Sequence, residues 1–442
     1  MDNTATAAGA DRAVQEPGDG ERRPSTLNHS VMVGAVGNFV ECFDWFAYAL
    51  FASYISRQVF PAGDPLAGLL STFAIFAVGF FVRPVGSFIF GIYTDRHGRK
   101  NALAATIFLM AAGSLMIAVV PTFAQAGWLS PAMLIAARLL QGLAMGGETS
   151  AGGSYIVEAS PARHRGFSGS FFYISVGLGT LSASLAGSLL TQLLTPAQME
   201  SVGWRLVFVL GAALGLFGLY MRRSAAESEL FLQVAKTTRK KDRGSLRVVA
   251  AEYWPSMLRL FLVAIGPTMA LYIWVGYVPN ILRAKGLVSA ATTFSASTLG
   301  LIVYTLCMPI SGALSDRIGR RLVLGVSWLV FAALLAPMMR YVMADAGSLP
   351  WVTCAAMALI GLGSGAVAAG FAEQFPTRVR AIGWGAPYNI SIAVFGGTAP
   401  YLGSWFASKG WPDLFNGYIA VLCALSGLAA FGLRDLRGKP LD

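Results

Sequence analysis

Charged side chains inside apolar runs are the part of this sequence that can do chemistry. Glu41 and Asp44 stand three residues apart in one such run, and so on one face if the run is helical. Arg83 lies in the next run, in Arg83-Pro84-Val85-Gly86. Arg138 and Glu148 share a third, as Arg138-Leu-Leu-Gln141-Gly142 and Gly146-Gly147-Glu148. Arg205 opens a fourth in Gly203-Trp204-Arg205. An ionisable group in a bilayer costs from about 2.5 kcal/mol upward, so each needs a reason to be there. A carboxylate that alternately pairs with an arginine and takes a proton can couple a proton gradient to movement, and Glu41, Asp44, Arg138 and Glu148 are the candidates for that work. A buried guanidinium binds a carboxylate through two parallel hydrogen bonds, and Arg83, then Arg205, are the candidates for holding such a group. The second half of the chain offers aromatics and amides instead: Tyr272, Trp274, Tyr277, Asn280, Tyr304, Tyr388 and Asn389. Of these, Tyr272, Trp274, Tyr277, Tyr388 and Asn389 are the expected opposite wall of a binding cavity.

These residues need long apolar elements to position them. Hydrophobic residues make up 55% of the chain and charged residues 12%, against roughly 25% charged in soluble domains. A soluble protein of this composition would expose large apolar patches. Twelve stretches reach the about 20 apolar residues that a bilayer-spanning helix requires, near 29–54, 67–92, 101–121, 131–157, 167–194, 204–222, 255–282, 291–314, 322–343, 350–373, 382–407 and 414–433. The net charge of +11 sits in short clusters between them, which favours a membrane surface over nucleic acid as its partner. Lys and Arg are sparse in the odd-to-even loops and dense in the others, which predicts both termini in the cytoplasm. Residues 1–28 read as a disordered cytoplasmic tail, 223–253 as a basic linker and 434–442 as a second tail. The four cysteines lie in apolar runs and read as small packing residues. No nucleophile–His–acid arrangement, phosphate loop or metal spacing occurs, so neither an enzyme nor a cofactor is expected.

Two phrases recur about half a chain apart. Gly91-Ile-Tyr-Thr-Asp95-Arg96-His-Gly-Arg99-Lys returns as Gly312-Ala-Leu-Ser-Asp316-Arg317-Ile-Gly319-Arg320-Arg321. Glu158-x-x-Pro161-x-Arg163-x-Arg165 returns as Glu373-x-x-Pro376-x-Arg378-x-Arg380. The chain therefore reads as two copies of one unit, 29–222 and 254–433. Gly91 and Gly312 predict close helix packing at the membrane edge. Asp95 and Asp316 are placed to pair with arginines or to face a helix N-terminus, contacts of about 0.3–2 kcal/mol that a moving protein can make and break.

Six plus six helices with these phrases resemble the major facilitator superfamily. Gly37-Asn38-Phe39-Val40-Glu41-Cys42-Phe43-Asp44, Gly79-Phe80-Phe81-Val82-Arg83-Pro84-Val85-Gly86, the run from Arg138 to Glu148, Gly203-Trp204-Arg205 and the Glu373 phrase are similar to its metabolite:H+ symporter branch. Cys42 departs from that branch, which carries Trp there, and Thr149-Ser150 is a second departure. The resemblance implies an all-α membrane protein with twelve transmembrane helices in two pseudo-symmetric halves. It implies proton-driven uptake of a small metabolite across a bacterial cytoplasmic (inner) membrane by alternating access, with drug:proton antiport as the rival activity on the same fold. It also implies a cytoplasmic gate made by Gly91, Asp95, Arg96, Arg99, Glu158, Arg165, Gly312, Asp316, Arg317, Arg320, Glu373 and Arg380. The expected partners are an organic acid, protons and lipid, with no nucleic acid and no second subunit. The end of the chain soon after the last helix points to an organic acid over a zwitterionic osmolyte such as proline or betaine.

Overall fold

Each of the twelve apolar windows holds a helix. In the computed structural model, residues 24–61, 63–86, 89–90, 93, 99–146, 156–157, 160–224, 246–376, 379–439 and 441 are described. The helices are α1 (Pro24–Leu50, continued by Ala52–Val59), α2 (Pro65–Gly86), α3 (Arg99–Ala118), α4 (Leu129–Met145), α5 (Arg165–Leu193) and α6 (Trp204–Ser224). The second set is α7 (Leu246–Tyr272, then Val278–Ala284), α8 (Ala290–Ile318), α9 (Arg320–Ala344), α10 (Leu349–Ser364, then Val367–Ala372), α11 (Arg380–Ser391, then Ala399–Ser408) and α12 (Pro412–Ala430). Among the described residues, eight helices are long and apolar enough to cross a bilayer, and two shorter apolar ones join them.

Local sequence sets the ends. Asp64 accepts from the Leu66 amide and Pro65 follows it, starting α2. Ser289 accepts from Thr292 at the start of α8. Gly319, with φ of +106°, turns the chain between α8 and α9 in a conformation that side-chain-bearing residues avoid. Two helices widen at mid-length. α7 makes a π turn over Ile273–Tyr277 and α11 another over Ile392–Gly396. Pro279 and Pro400 follow them and carry no N–H for the preceding turn, which opens the ladder. The α7 turn packs on the segment of α11 that follows its own turn, and on α1: a Cβ on Gly276 would lie 3.4 Å from Pro400 and 3.5 Å from Ala49.

The core is continuous across both sets of helices. Outward faces carry Phe108, Leu185, Leu216, Leu306 and Leu428 in the open, the pattern of a surface that faces lipid. The two sets meet along α5 with α8, α2 with α11, and α1 with α7.

Candidate functional site

Asp44 is fully buried on α1 and begins a chain of polar contacts. The Ser114 hydroxyl on α3 donates to Asp44 Oδ2. Gln141 Nε2 on α4 donates to Ser114 Oγ at 3.0 Å, and Arg138 Nη1 donates to Gln141 Oε1 at 2.7 Å. All four side chains are fully buried. Asp44 Oδ1 has no hydrogen-bond partner, nor do Arg138 Nε and Nη2. A Cβ added at Gly211 on α6 would collide with Asp44 Oδ1, so this glycine makes the room for it. Asp44 and Arg138 are linked through two neutral side chains, not paired directly.

Aromatic rings line the guanidiniums. The Arg138 Cζ lies 4.0 Å from the Trp45 ring centre and 4.2 Å from that of Tyr48. The Arg83 Cζ lies 4.5 Å from the same Trp45 ring and 4.3 Å from Phe80. One tryptophan therefore serves two arginines, at distances where the ring quadrupole attracts a cation. Arg83 is 3% exposed, donates to the Met145 sulfur at 3.2 Å, and leaves its Nε unpartnered. No carboxylate among the described residues lies within ion-pair distance of it.

The second set of helices closes over Arg83 with tyrosines. Tyr272 stacks on Phe46 at 5.1 Å and meets Phe80 edge-on at 5.3 Å. The Tyr173 hydroxyl on α5 donates to that of Tyr388 on α11 at 3.4 Å. Glu41 and Arg83 are both within electrostatic reach of Tyr272 and Tyr388, and Tyr304 and Cys42 belong to the same group. Asn389 is half-buried beside Tyr388. Trp274 is fully buried with its Nε1 unpartnered. Tyr277 turns elsewhere, packing edge-on against Phe415 of α12 at 5.3 Å. Arg205 also stands apart: its Nη1 donates to the Ala118 carbonyl at 3.1 Å and to that of Val120, closing the end of α3. Glu148 lies outside the described residues.

At the face carrying Gly312 to Arg321, here the motif face, Asp316 caps α5 from the other half. Its Oδ1 accepts from the Gly166 amide and its Oδ2 from that of Phe167, each at 2.9 Å. The helix N-terminus favours this carboxylate. Arg320 pairs with Asp316 at 2.8 Å and with Glu373 at 3.2 Å. Glu373 follows the end of α10; burial pushes its carboxyl above the ordinary range, while Arg320 pulls it back. A Cβ on Gly312 would lie 2.8 Å from the Gly166 carbonyl carbon, so α5 and α8 touch backbone to backbone. Arg165 donates to the Lys439 carbonyl at 2.6 Å, and Arg437 to that of Arg317 at 2.6 Å. The segment holding Arg437 and Lys439 therefore lies across this face. Arg380 donates to the carbonyls of Ala372 and Phe375. Gly91, Asp95, Arg96 and Glu158 lie outside the described residues, and Arg99 is described only in its backbone.

The opposite face is tied by Asn280. Asn280 of α7 donates from Nδ2 to the Ala49 carbonyl at 2.7 Å and accepts at Oδ1 from the Ser53 amide at 3.1 Å. Ala49 and Ser53 are four residues apart, a pair that an unbroken helix bonds directly. The carboxamide is thus spliced into the ladder of α1, which breaks at Phe51. Arg283 adds a bond to Ser53 Oγ at 2.9 Å and covers the Tyr54 ring. Only the amide chemistry of Asn280 was visible in the sequence; its partner was half a chain away.

The comparisons with known proteins agree with this architecture. The family described as Sugar (and other) transporter matches residues 30–258. The chain is 33% identical to the alpha-ketoglutarate permease of Escherichia coli (strain K12) over 416 residues, covering 92% of this chain and 94% of that protein. It is 32% identical to the citrate-proton symporter of Salmonella typhi over 91% of this chain and 92% of that one. It is 33% identical to a putative proline/betaine transporter of Staphylococcus haemolyticus, with 87% and 82% covered. A crystal structure of a D-xylose-proton symporter shares the fold with a TM-score of 0.73 over 94% of this chain and 100% of that one, at 18% identity. Among the described residues, twelve apolar helices in two sets of six, an ionisable cluster buried within the first set, and relatives of this closeness have one meaning: the chain belongs to the major facilitator superfamily, within its sugar (and other) transporter family, and is a membrane transporter.

Proposed function

We propose that the protein takes up a small organic acid, a di- or tricarboxylate or hydroxy-acid, together with protons by rocker-switch alternating access. Arg83 carries the substrate class. It is a buried cation between the two halves, without a carboxylate partner among the described residues, with one guanidinium nitrogen unpartnered and tyrosines above it. An uncompensated buried charge is expensive, and a ligand carboxylate would compensate it. Relatives named for alpha-ketoglutarate and for citrate support this reading. Glu41, Asp44 and Glu148 are the proton carriers and Arg138 their counter-charge. Tyr272, Tyr388, Asn389 and Trp274 shape the cavity, and Tyr277 and Arg205 support it from a distance. The motif face is cytoplasmic, with both termini on that side of a bacterial inner membrane, as the charge distribution of the loops supports. The moving bodies are residues 29–222 and 254–433, joined by 223–253, and one chain acts alone. Gly91, Asp95, Arg96, Arg99 and Glu158 form the cytoplasmic gate with the residues around Asp316.

A zwitterion such as proline or betaine is the second reading, favoured by the proline/betaine relative and by the rings of Phe46, Phe80 and Tyr272 that could receive a cation. Thermal unfolding of the purified protein against 2-oxoglutarate, citrate, proline, glycine betaine and a lipophilic cation separates the readings. Stabilisation of about 2.7 kcal/mol is expected from a carboxylate at a hundred times its dissociation constant. Stabilisation by betaine or the lipophilic cation and none by the acids would reject the organic-acid reading. Uptake into proteoliposomes with an imposed proton gradient tests the coupling.

A further inference from the structure

Ser114 and Gln141 have no task in the function above, yet they join its two charged groups. Their donors and acceptors fix a direction. Arg138 carries only donors, so Gln141 must turn its carbonyl oxygen toward it. The Gln141 amide then donates to Ser114 Oγ. The Ser114 hydroxyl has one hydrogen, and it goes to Asp44 Oδ2. Every bond in the chain points from cation to carboxylate, and at its end Oδ2 can only accept. The other oxygen, Oδ1, is packed against Gly211, where a side chain would displace it, and has no hydrogen-bond partner.

We propose that Ser114 and Gln141 are positioning residues for proton coupling, forming a one-directional relay that ties the charge on Asp44 Oδ2 to the placement of Arg138. This rests on the proton-coupling role of Asp44. A proton arriving at Oδ1 forms one O–H bond and removes the negative charge. Oδ2 becomes a weaker acceptor, the Ser114 hydroxyl loosens, Gln141 loses its fixed orientation, and Arg138 is freed to serve another carboxylate. No other covalent bond is made or broken. The charge that faces Asp44 is Arg138 from α4, with Tyr48 of α1 and Arg83 of α2 beside that arginine. Glu41 lies three residues earlier on α1 itself. α3 and α6 face Asp44 with Ser114 and Gly211, and α5 meets α1 through the neutral pair Asn38 and Ser175.

The test uses the proton as its only probe and so needs no substrate. Infrared titration of the full chain in lipid nanodiscs reads the Asp44 carboxyl band, identified by its loss in Asp44→Asn. Ser114→Ala removes a donor from the charged form and should move the midpoint upward by about one pH unit. Ser114→Thr, which keeps the hydroxyl, should restore it. Gln141→Leu should move it in the same direction, and the double variant should shift little beyond Ser114→Ala, because both changes cut one chain. Wild-type midpoints in Ser114→Ala and Gln141→Leu, with only the unfolding temperature lowered, would overturn the relay while leaving Asp44 as a carrier. Absence of any Asp44 band in the wild type would overturn the carrier assignment and the relay together.

Discussion

Arg83 and Arg138 share one tryptophan ring but live in different surroundings. Arg138 is tied by a short bond to Gln141, whereas the polar contact of Arg83 is to a methionine sulfur, a weak acceptor. A guanidinium so weakly engaged is available to a ligand. Arg83→Lys keeps the charge and loses the two-point fork, so carboxylate binding, followed by the thermal shift of the purified protein, is expected to weaken at least about tenfold. Gly211→Ala is expected to disturb Asp44 by contact alone, since its methyl group would occupy the space beside Oδ1. The expected loss is about 1–3 kcal/mol of stability, measured by denaturation in detergent. Most of the charged cluster was legible in the sequence because a membrane segment tolerates an ionisable residue only for cause. Ser114 and Gln141 were not, because a serine or glutamine in an apolar helix has many neutral explanations, and only the fold brings α3, α4 and α1 together. Arg205 shows the converse: its charge drew attention, and the structure engages it with carbonyls at the end of α3.

Among the elements, α1, α7 and α11 depart from regular helix, and the departures have local causes. The prolines at 279 and 400 announce the two widened turns. The break in α1 has no such signal, for the sequence around Phe51 holds neither glycine nor proline, and its cause is the side chain of Asn280 on another helix. Asn280→Leu leaves the shape nearly unchanged and removes both bonds across the halves. An unfolding free energy lower by about 1–3 kcal/mol is expected in a denaturant titration. On the motif face, Asp316→Ala removes both carboxylate contacts to the start of α5 and one partner of Arg320. Capping contacts of this kind contribute about 0.5–2 kcal/mol, enough to shift a balanced equilibrium severalfold. Spin labels at the exposed positions Arg163 and Arg321, on opposite halves, should report a larger population of long distances; an unchanged distribution would remove Asp316 from the gate.

At the scale of the whole molecule, the halves touch on both faces and in the middle. Asp316 and Gly166 join them on the motif face, Tyr173 and Tyr388 near the centre, and Asn280 with Ala49 and Ser53 on the opposite face. Alternating access requires that one set part while the others hold. The end of the chain adds to the motif face, through the Lys439 carbonyl on Arg165 and the Arg437 side chain on the Arg317 carbonyl. Deleting residues 434–442 is therefore expected to widen the same spin-label distances as Asp316→Ala, and by more, without altering the opposite face. The repeat made the doubled architecture readable, since two phrases half a chain apart admit little else. The terminal strap was not readable, because its principal contact is a backbone carbonyl that any residue at 439 would supply.

The splice at Asn280 also sets what parting the opposite face costs. When the carboxamide withdraws, the Ser53 amide and the Ala49 carbonyl are left as partners four residues apart, and α1 can heal across Phe51 by bonding them to each other. The backbone groups exchange one partner for another, so no donor or acceptor need be abandoned in a surrounding that supplies no water. A crossing built on side-chain pairs alone would strand both ends on opening. Here the side chains of Asn280 and Arg283 need new contacts, and the Asn280 amide already donates to the Gly276 carbonyl on its own helix at 2.7 Å. The closure is firm while it lasts and inexpensive to undo, the combination required of a door that must work once in every cycle.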